Sequence, residues 1–165
     1  DETWSLNLNY AFSKKINAYA FYTYDDITAD MLNSSGGTSS PWNANTRDKI
    51  ATWGIGLSAN ISEKSSLGID YVSADSRGDI SVQTADMEDP FDQLKTDLTN
   101  FRLHFDYEIN DRWGYKIYAE HEEYDSQDWA IDGYGVDGVN SILSMGLLSP
   151  DYDVWYYRFQ LSYRF

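Results

Sequence analysis

Cysteine is absent from this 165-residue chain, so it has no disulfide framework, no thiolate zinc site and no covalent attachment point for haem. Histidine is nearly absent, with His104 and His121 alone. No run of 18 apolar residues exists, which excludes a transmembrane helix. Positive charge is also scarce. The 12 Lys and Arg face 27 Asp and Glu, for a formal net charge of −15, and nucleic acid is excluded as a partner because phosphate binding needs clustered cations. Mean hydropathy is only −0.56. The 16% of aromatic residues, 14 of them Tyr, nevertheless argues against disorder. A membrane is not excluded, because strands that alternate apolar and polar residues average to a hydrophilic score.

Period-two alternation is what the sequence has in quantity. Trp4, Leu6, Leu8, Tyr10 and Phe12 alternate with small polar residues, as do Trp53, Ile55, Leu57, Ala59 and Ile61. Phe101, Leu103, Phe105, Tyr107 and Ile109 alternate with Arg102, His104, Asp106 and Glu108. Trp155, Tyr157, Phe159, Leu161, Tyr163 and Phe165 alternate with Tyr156, Arg158, Gln160, Ser162 and Arg164. Each reads as a strand with one apolar and one polar face. Further strands are predicted over 66–73 and 113–122, and over 16–24, where aromatics fall on both parities and the faces stay unassigned. That makes about seven strands and no helix.

The connections alternate in length. Short turns fall at 13–15, 62–65 and 110–112, and long connections rich in Gly, Ser, Asn and Asp are predicted over about 25–48, 73–97 and 122–153. An antiparallel up-and-down meander with every long loop at one end is the plan of a transmembrane β-barrel in an outer membrane. Ten residues at about 3.3 Å each, tilted by about 45°, cover roughly 23 Å, close to the height of a lipid-facing band. Trp4, Tyr10, Trp53, Tyr107, Trp113, Tyr157 and Tyr163 would mark its two water interfaces. A soluble β-sandwich or lectin-like module would need a second apolar layer, and none is offered.

Facing residues follow from parity. With apolar rows toward lipid, Asp70, Arg102, His104, Asp106, Glu108, Lys116, Glu120, Arg158 and Arg164 point into the lumen, where they are candidates either for lining water or for contacting a protein. The three long connections carry 19 of the 27 acidic residues and only Arg47, Arg77 and Lys95, so acid gathers at the outer rim. Asp86, Glu88, Asp89 and Asp92 are its densest cluster. They are weak candidates for a divalent cation, and their spacing matches no EF-hand. No Ser sits on a G-x-S-x-G elbow, and the two histidines fall on opposite faces. An acidic dyad such as Asp106 with Glu120 is expected by chance among so many carboxylates. No enzyme is expected.

Tyr157, Phe159, Leu161, Tyr163 and the terminal Phe165 resemble the last-strand signal read by the outer-membrane barrel assembly machinery. With that strand ending in the periplasm, counting back through the hairpins puts Asp1 on the outer side. An even-stranded barrel with both ends in the periplasm then requires an odd number of strands ahead of Asp1. The 165 residues are therefore expected to be the C-terminal part of one larger barrel domain.

Residues 142–165 contain Leu143–Gly146, then Ser149-Pro150-Asp151-Tyr152-Asp153-Val154, then Leu161–Phe165. This stretch resembles the C-terminus of the MtrB/PioB family of decahaem-associated outer-membrane proteins. The resemblance implies a large barrel acting as a sheath, with a periplasmic multihaem cytochrome in its lumen and an outer-surface multihaem cytochrome docked outside. The haem would belong to those partners, and the barrel itself would hold no cofactor. The competing reading is a general or substrate-specific porin with an open lumen.

Overall fold

The computed structural model describes residues 1–33, 42–84, 87–88, 92–128 and 149–165. The described residues form strands and turns with no helix, in one antiparallel sheet. Its strands are β1 (Glu2–Ala11), β2 (Ile16–Asn33), β3 (Trp42–Ser62), β4 (Ser65–Thr84), the two-residue β5 (Met87–Glu88), β6 (Leu94–Glu108), β7 (Trp113–Gln127) and β8 (Tyr152–Tyr163). Seven of them run in the order β1-β2-β3-β4-β6-β7-β8, and β5 pairs with the far end of β4. Each strand pairs with its sequence neighbour, as an up-and-down meander requires. The sheet is open, because β1 and β8 lie at its two edges.

Three tight turns gather at one end, each closed by a side chain that takes up the backbone N–H groups the strands leave behind. Ser13 Oγ accepts from Lys15 and Ile16 N–H at 3.1 and 3.2 Å. Ser62 Oγ accepts from Lys64 N–H at 3.1 Å. Asn110 Oδ1 accepts from Arg112 and Trp113 N–H, both at 3.0 Å. Ser and Asn recur there because a short polar side chain can bond its own backbone two or three residues on.

The faces are fixed by register. One surface carries the apolar rows, exposed all along: Leu8 is 58% and Phe159 66% accessible. Ala44 is the one hydrophobic residue buried among those described, and no charged or polar residue is buried. The sheet therefore has no interior of its own, and its greasy surface is satisfied only by hydrocarbon. The rows end in aromatic belts. At the upper belt Tyr22 pairs with Trp53, and Tyr71, Phe101, His121 and Trp155 lie in a single register row. Ring centroids there are 5.0 Å apart for Trp4–Tyr22, 5.2 Å for Trp53–Tyr71 and 4.6 Å for His121–Trp155. At the turn end Tyr10 meets Phe12 at 4.7 Å, Tyr107 meets Tyr115 at 5.4 Å and Trp113 meets Tyr163 at 4.7 Å.

The connections predicted over 25–48, 73–97 and 122–153 need correction. Strand pairing continues well beyond the upper belt: β2 and β3 stay paired from Asp25–Ile50 out to Asn33–Trp42, and β3 and β4 out to Asn43–Gln83. β6 begins at Leu94 and β7 runs to Gln127. The apolar row stops at the belt because the lipid stops there, but alternation does not stop; it changes phase. Beyond the belt the lipid-side parity carries Asp26, Asp30, Arg47 and Asp79, while the opposite parity carries Ile27, Met31, Ile50, Ile80 and Val82.

Register also assigns the faces of β2. Tyr19 pairs with Gly56 and Phe21 with Gly54, so both aromatics lie on the polar face, while Ala18, Ala20, Tyr22 and Tyr24 lie on the lipid side. Two-sided aromatics hid this in the sequence. The glycines explain it, because a Cβ at Gly54 would strike the Phe21 ring and one at Gly56 would strike the Tyr19 ring.

Candidate functional site

The polar face of the membrane-spanning rows is divided. On β1 to β3 it is uncharged, with Ser5, Asn7 and Asn9 beside Tyr19 and Phe21. On β4 to β8 it carries a lateral ladder of paired charges. Tyr19 Oη donates to Asp70 at 2.7 Å, reaching over the bare Gly56. Asp70 lies 3.7 Å from His104 Nδ1, and the His104 ring occupies the space a Cβ on Gly68 would need. Arg102 pairs across the strands with Glu120, its Nη2 and Nε donating at 3.0 and 3.2 Å. Asn100 Nδ2 donates to Glu120 at 2.8 Å and to Glu122 at 3.1 Å, and Tyr152 Oη donates to Glu122 at 2.8 Å.

Below this row Lys116 meets Asp106 at 2.6 Å, and Arg158 lies over the Tyr118 ring at 4.1 Å from its centroid. Arg164 meets Glu108 at 3.2 Å beside the turn end. Most of these pairs join neighbours opposite one another or diagonal in register, so strand pairing alone brings them together, while Tyr19–Asp70 and Arg164–Glu108 each reach across an intervening strand at a glycine, Gly56 and Gly114. Pairs this accessible are worth about 0.2–1 kcal/mol each, so the ladder adds little to the sheet's stability. Chemically it is a nearly neutral surface rich in donors and acceptors.

The expected lumenal residues Arg102, His104, Asp106, Glu108, Lys116, Glu120, Arg158 and Arg164 all fall on this face. The suggested dyad of Asp106 and Glu120 does not form, since each carboxylate is held by its own cation, Lys116 and Arg102. His104 and His121 lie on opposite faces, as parity predicted; His121 Nε2 is 2.6 Å from Asp153 on the lipid-side surface, above the belt. Of the acidic cluster, Asp86 and Asp89 lie outside the described residues, as does the Glu88 side chain, while Asp92 is exposed. Among the described residues no group of three or more acidic or His side chains is placed to hold a metal ion. Sequence reasoning missed Tyr19, Phe21, Tyr118 and Tyr152 as lumenal groups. The signal for the first two was the Gly54 and Gly56 spacing on the neighbouring strand.

Above the belt the charges on the lipid-side surface are tied to one another. Arg47 grips Asp26 through two bonds, at 2.8 and 2.5 Å, and these hold the Asp26 carboxyl below the ordinary carboxylate range, against a smaller desolvation cost. Arg77 bonds both Asp75 and Asp97. Burial pushes Asp75 up, while the hydrogen bond from Asp75 is the main cause that pulls Asp97 down.

One surface for hydrocarbon between two aromatic belts, one polar surface behind it and an up-and-down meander define an outer-membrane β-barrel protein. The comparisons give the same class and a family: the model described as "Putative outer membrane beta-barrel porin, MtrB/PioB" matches residues 1–165, and this chain belongs to that family. It is similar to the outer membrane protein MtrB of Shewanella baltica (strain OS185), with 27% identity over 169 residues and 99% of the chain covered. The chain spans 24% of that relative's length. Its place is the outer membrane, and a porin-type barrel family is not a class of enzymes.

Proposed function

We propose that this chain is a wall segment of an outer-membrane sheath, whose lumen encloses a periplasmic multihaem cytochrome and whose outer mouth meets a second, cell-surface one. The haems would carry electrons across the membrane, and the barrel would keep charge out of hydrocarbon by replacing lipid with protein around the wire. One observation carries the reading: lumenal charges on β4 to β8 are neutralised laterally, Arg102 with Glu120 and Lys116 with Asp106. Ion-selective pores use rings of one sign to attract what they conduct. A laterally balanced surface suits the mixed polar skin of a folded protein. The family and the similarity to the outer membrane protein MtrB support it.

In this reading the open edges of β1 and β8 are closed by further strands, since unpaired backbone is not tolerated in lipid. The row Tyr157, Phe159, Leu161, Tyr163 and Phe165 hands the last strand to the barrel assembly machinery.

The family description also names a porin, which makes an open conducting lumen the second reading. The test is purification of the native barrel under mild detergent, followed by absorbance spectroscopy and planar-bilayer conductance. A sheath brings haem absorbance with it and conducts ions poorly. Large conductance steps without haem would overturn the sheath in favour of the porin.

A further inference from the structure

Above the upper belt the two surfaces of the sheet exchange polarity. The lipid-side parity becomes charged and internally bonded, through Arg47 with Asp26, Arg77 with Asp97 and Gln93 with Asp79. The lumenal parity becomes richer in apolar side chains: register places Ile27, Met31, Ile50, Ile80, Val82 and Leu98 there, interspersed with the hydroxyls of Thr23, Thr46, Thr52, Ser76 and Thr96, and Asp25 and Asp48 are the charges among the described residues of those rows. Ile27 and Met31 stand exposed, at 43% and 50% accessible, while Ile50, Ile80, Val82 and Leu98 are half-buried by their neighbours.

The patch is four strands wide, at about 4.8 Å per strand, as far as the Gly78–Leu94 row and three strands wide above it, and it runs from the Ala74–Leu98 row to the Ala44–Val82 row, eight residues or about 26 Å. The whole region covers on the order of 400 Å², hydroxyls and the two carboxylates included, and it is a broad sheet surface of the kind that meets another protein. Lipid is not the occupant, because these rows lie beyond the aromatic belt. A second copy packed alongside is not either, because it would meet the charged outer surface. The patch is continuous with the charged ladder below it through the Asn100–Val72 row.

We infer that this upper part of the wall is an apolar gasket, gripping a protein seated in the lumen by a band of that protein's own apolar side chains. The partner would then meet two tiers: a hydrated, laterally neutral one at the depth of the membrane, and a dry one at the outer mouth that seals the passage against ions. The inference rests on the sheath reading for the presence of a protein in the lumen, and adds where and by what chemistry it is held.

The test uses single cysteines in the full barrel, with any native cysteine replaced. Ile27→Cys, Ile50→Cys and Ile80→Cys probe the gasket, and Lys49→Cys probes the outer surface at the same height. Each is treated with a membrane-impermeant maleimide on intact cells, with the native complex assembled and in a strain lacking the lumenal protein. Labelling of the three inward positions is expected to be lost in the complex and recovered without it, while Lys49→Cys labels in both. Inward positions that label equally in both states would overturn the inference. So would positions that stay protected without the partner, since the barrel's own segments would then cover the patch. Protection by a co-purifying protein that lacks haem absorbance would uphold the gasket and sink the cytochrome sheath. Haem absorbance with freely labelled cysteines would do the reverse.

Discussion

Space is tightest where side chains are smallest. Gly54 and Gly56 are buried under Phe21 and Tyr19, and the Tyr19 ring needs that vacancy to reach Asp70. Gly56→Ala forces the ring off its seat. It should cost about 1–3 kcal/mol, as overpacking does, read as a shift of the urea midpoint in lipid or detergent. The same change in a Tyr19→Ala background should cost much less, and an equal loss in both would mean that ring and glycine are not coupled. Acid acts at a different residue. The Asp26 carboxyl, held low mainly by the hydrogen bond from Arg47, stabilises the upper β2–β3 hairpin at pH above its ordinary value of 3.8. That contribution disappears as pH falls through the lower folded value. Protection of the hairpin amides beyond Asp26, relative to their intrinsic exchange at each pH, should therefore fall in that acid range, and Arg47→Ala should remove this component of the pH dependence.

At the scale of the strand, the two parities have different tolerances. Leu57 lies midway along the lipid-facing row of β3, where an arginine costs about 2–4 kcal/mol; Leu57→Arg should lower the folded fraction on heat-modifiability gels. Ser58→Arg, one residue on and facing the lumen, should leave it almost unchanged. Comparable losses at both positions would contradict the assigned faces. Legibility in the sequence followed the same division. Trp4–Phe12 and Trp155–Phe165 were plain because lipid imposes one apolar parity and interfacial aromatics mark its ends. The strands beyond the belt are hidden in the sequence because Ile27, Met31, Ile80 and Val82 alternate in the opposite phase, and a pattern tuned to one parity sees only its end. Parity alone puts Arg102, His104 and Lys116 on one face, and register has them on one face too. Their partners required register, which depends on turn geometry as well as on the strands.

For the whole molecule the decisive features are the two unpaired edges and, among the described residues, the lack of a second layer. The 165-residue chain refolded by itself in detergent micelles should associate through β1 and β8, giving concentration-dependent multimers in light scattering. A monodisperse monomer with fully protected edge amides would show that the edges satisfy each other. The single-layered wall also bears on how the sheet fares outside lipid. With hydrophobic rows exposed along one surface and no layer covering them among the described residues, this sheet is poorly suited to water. In water, collapse would bring greasy strand against greasy strand and end in aggregation.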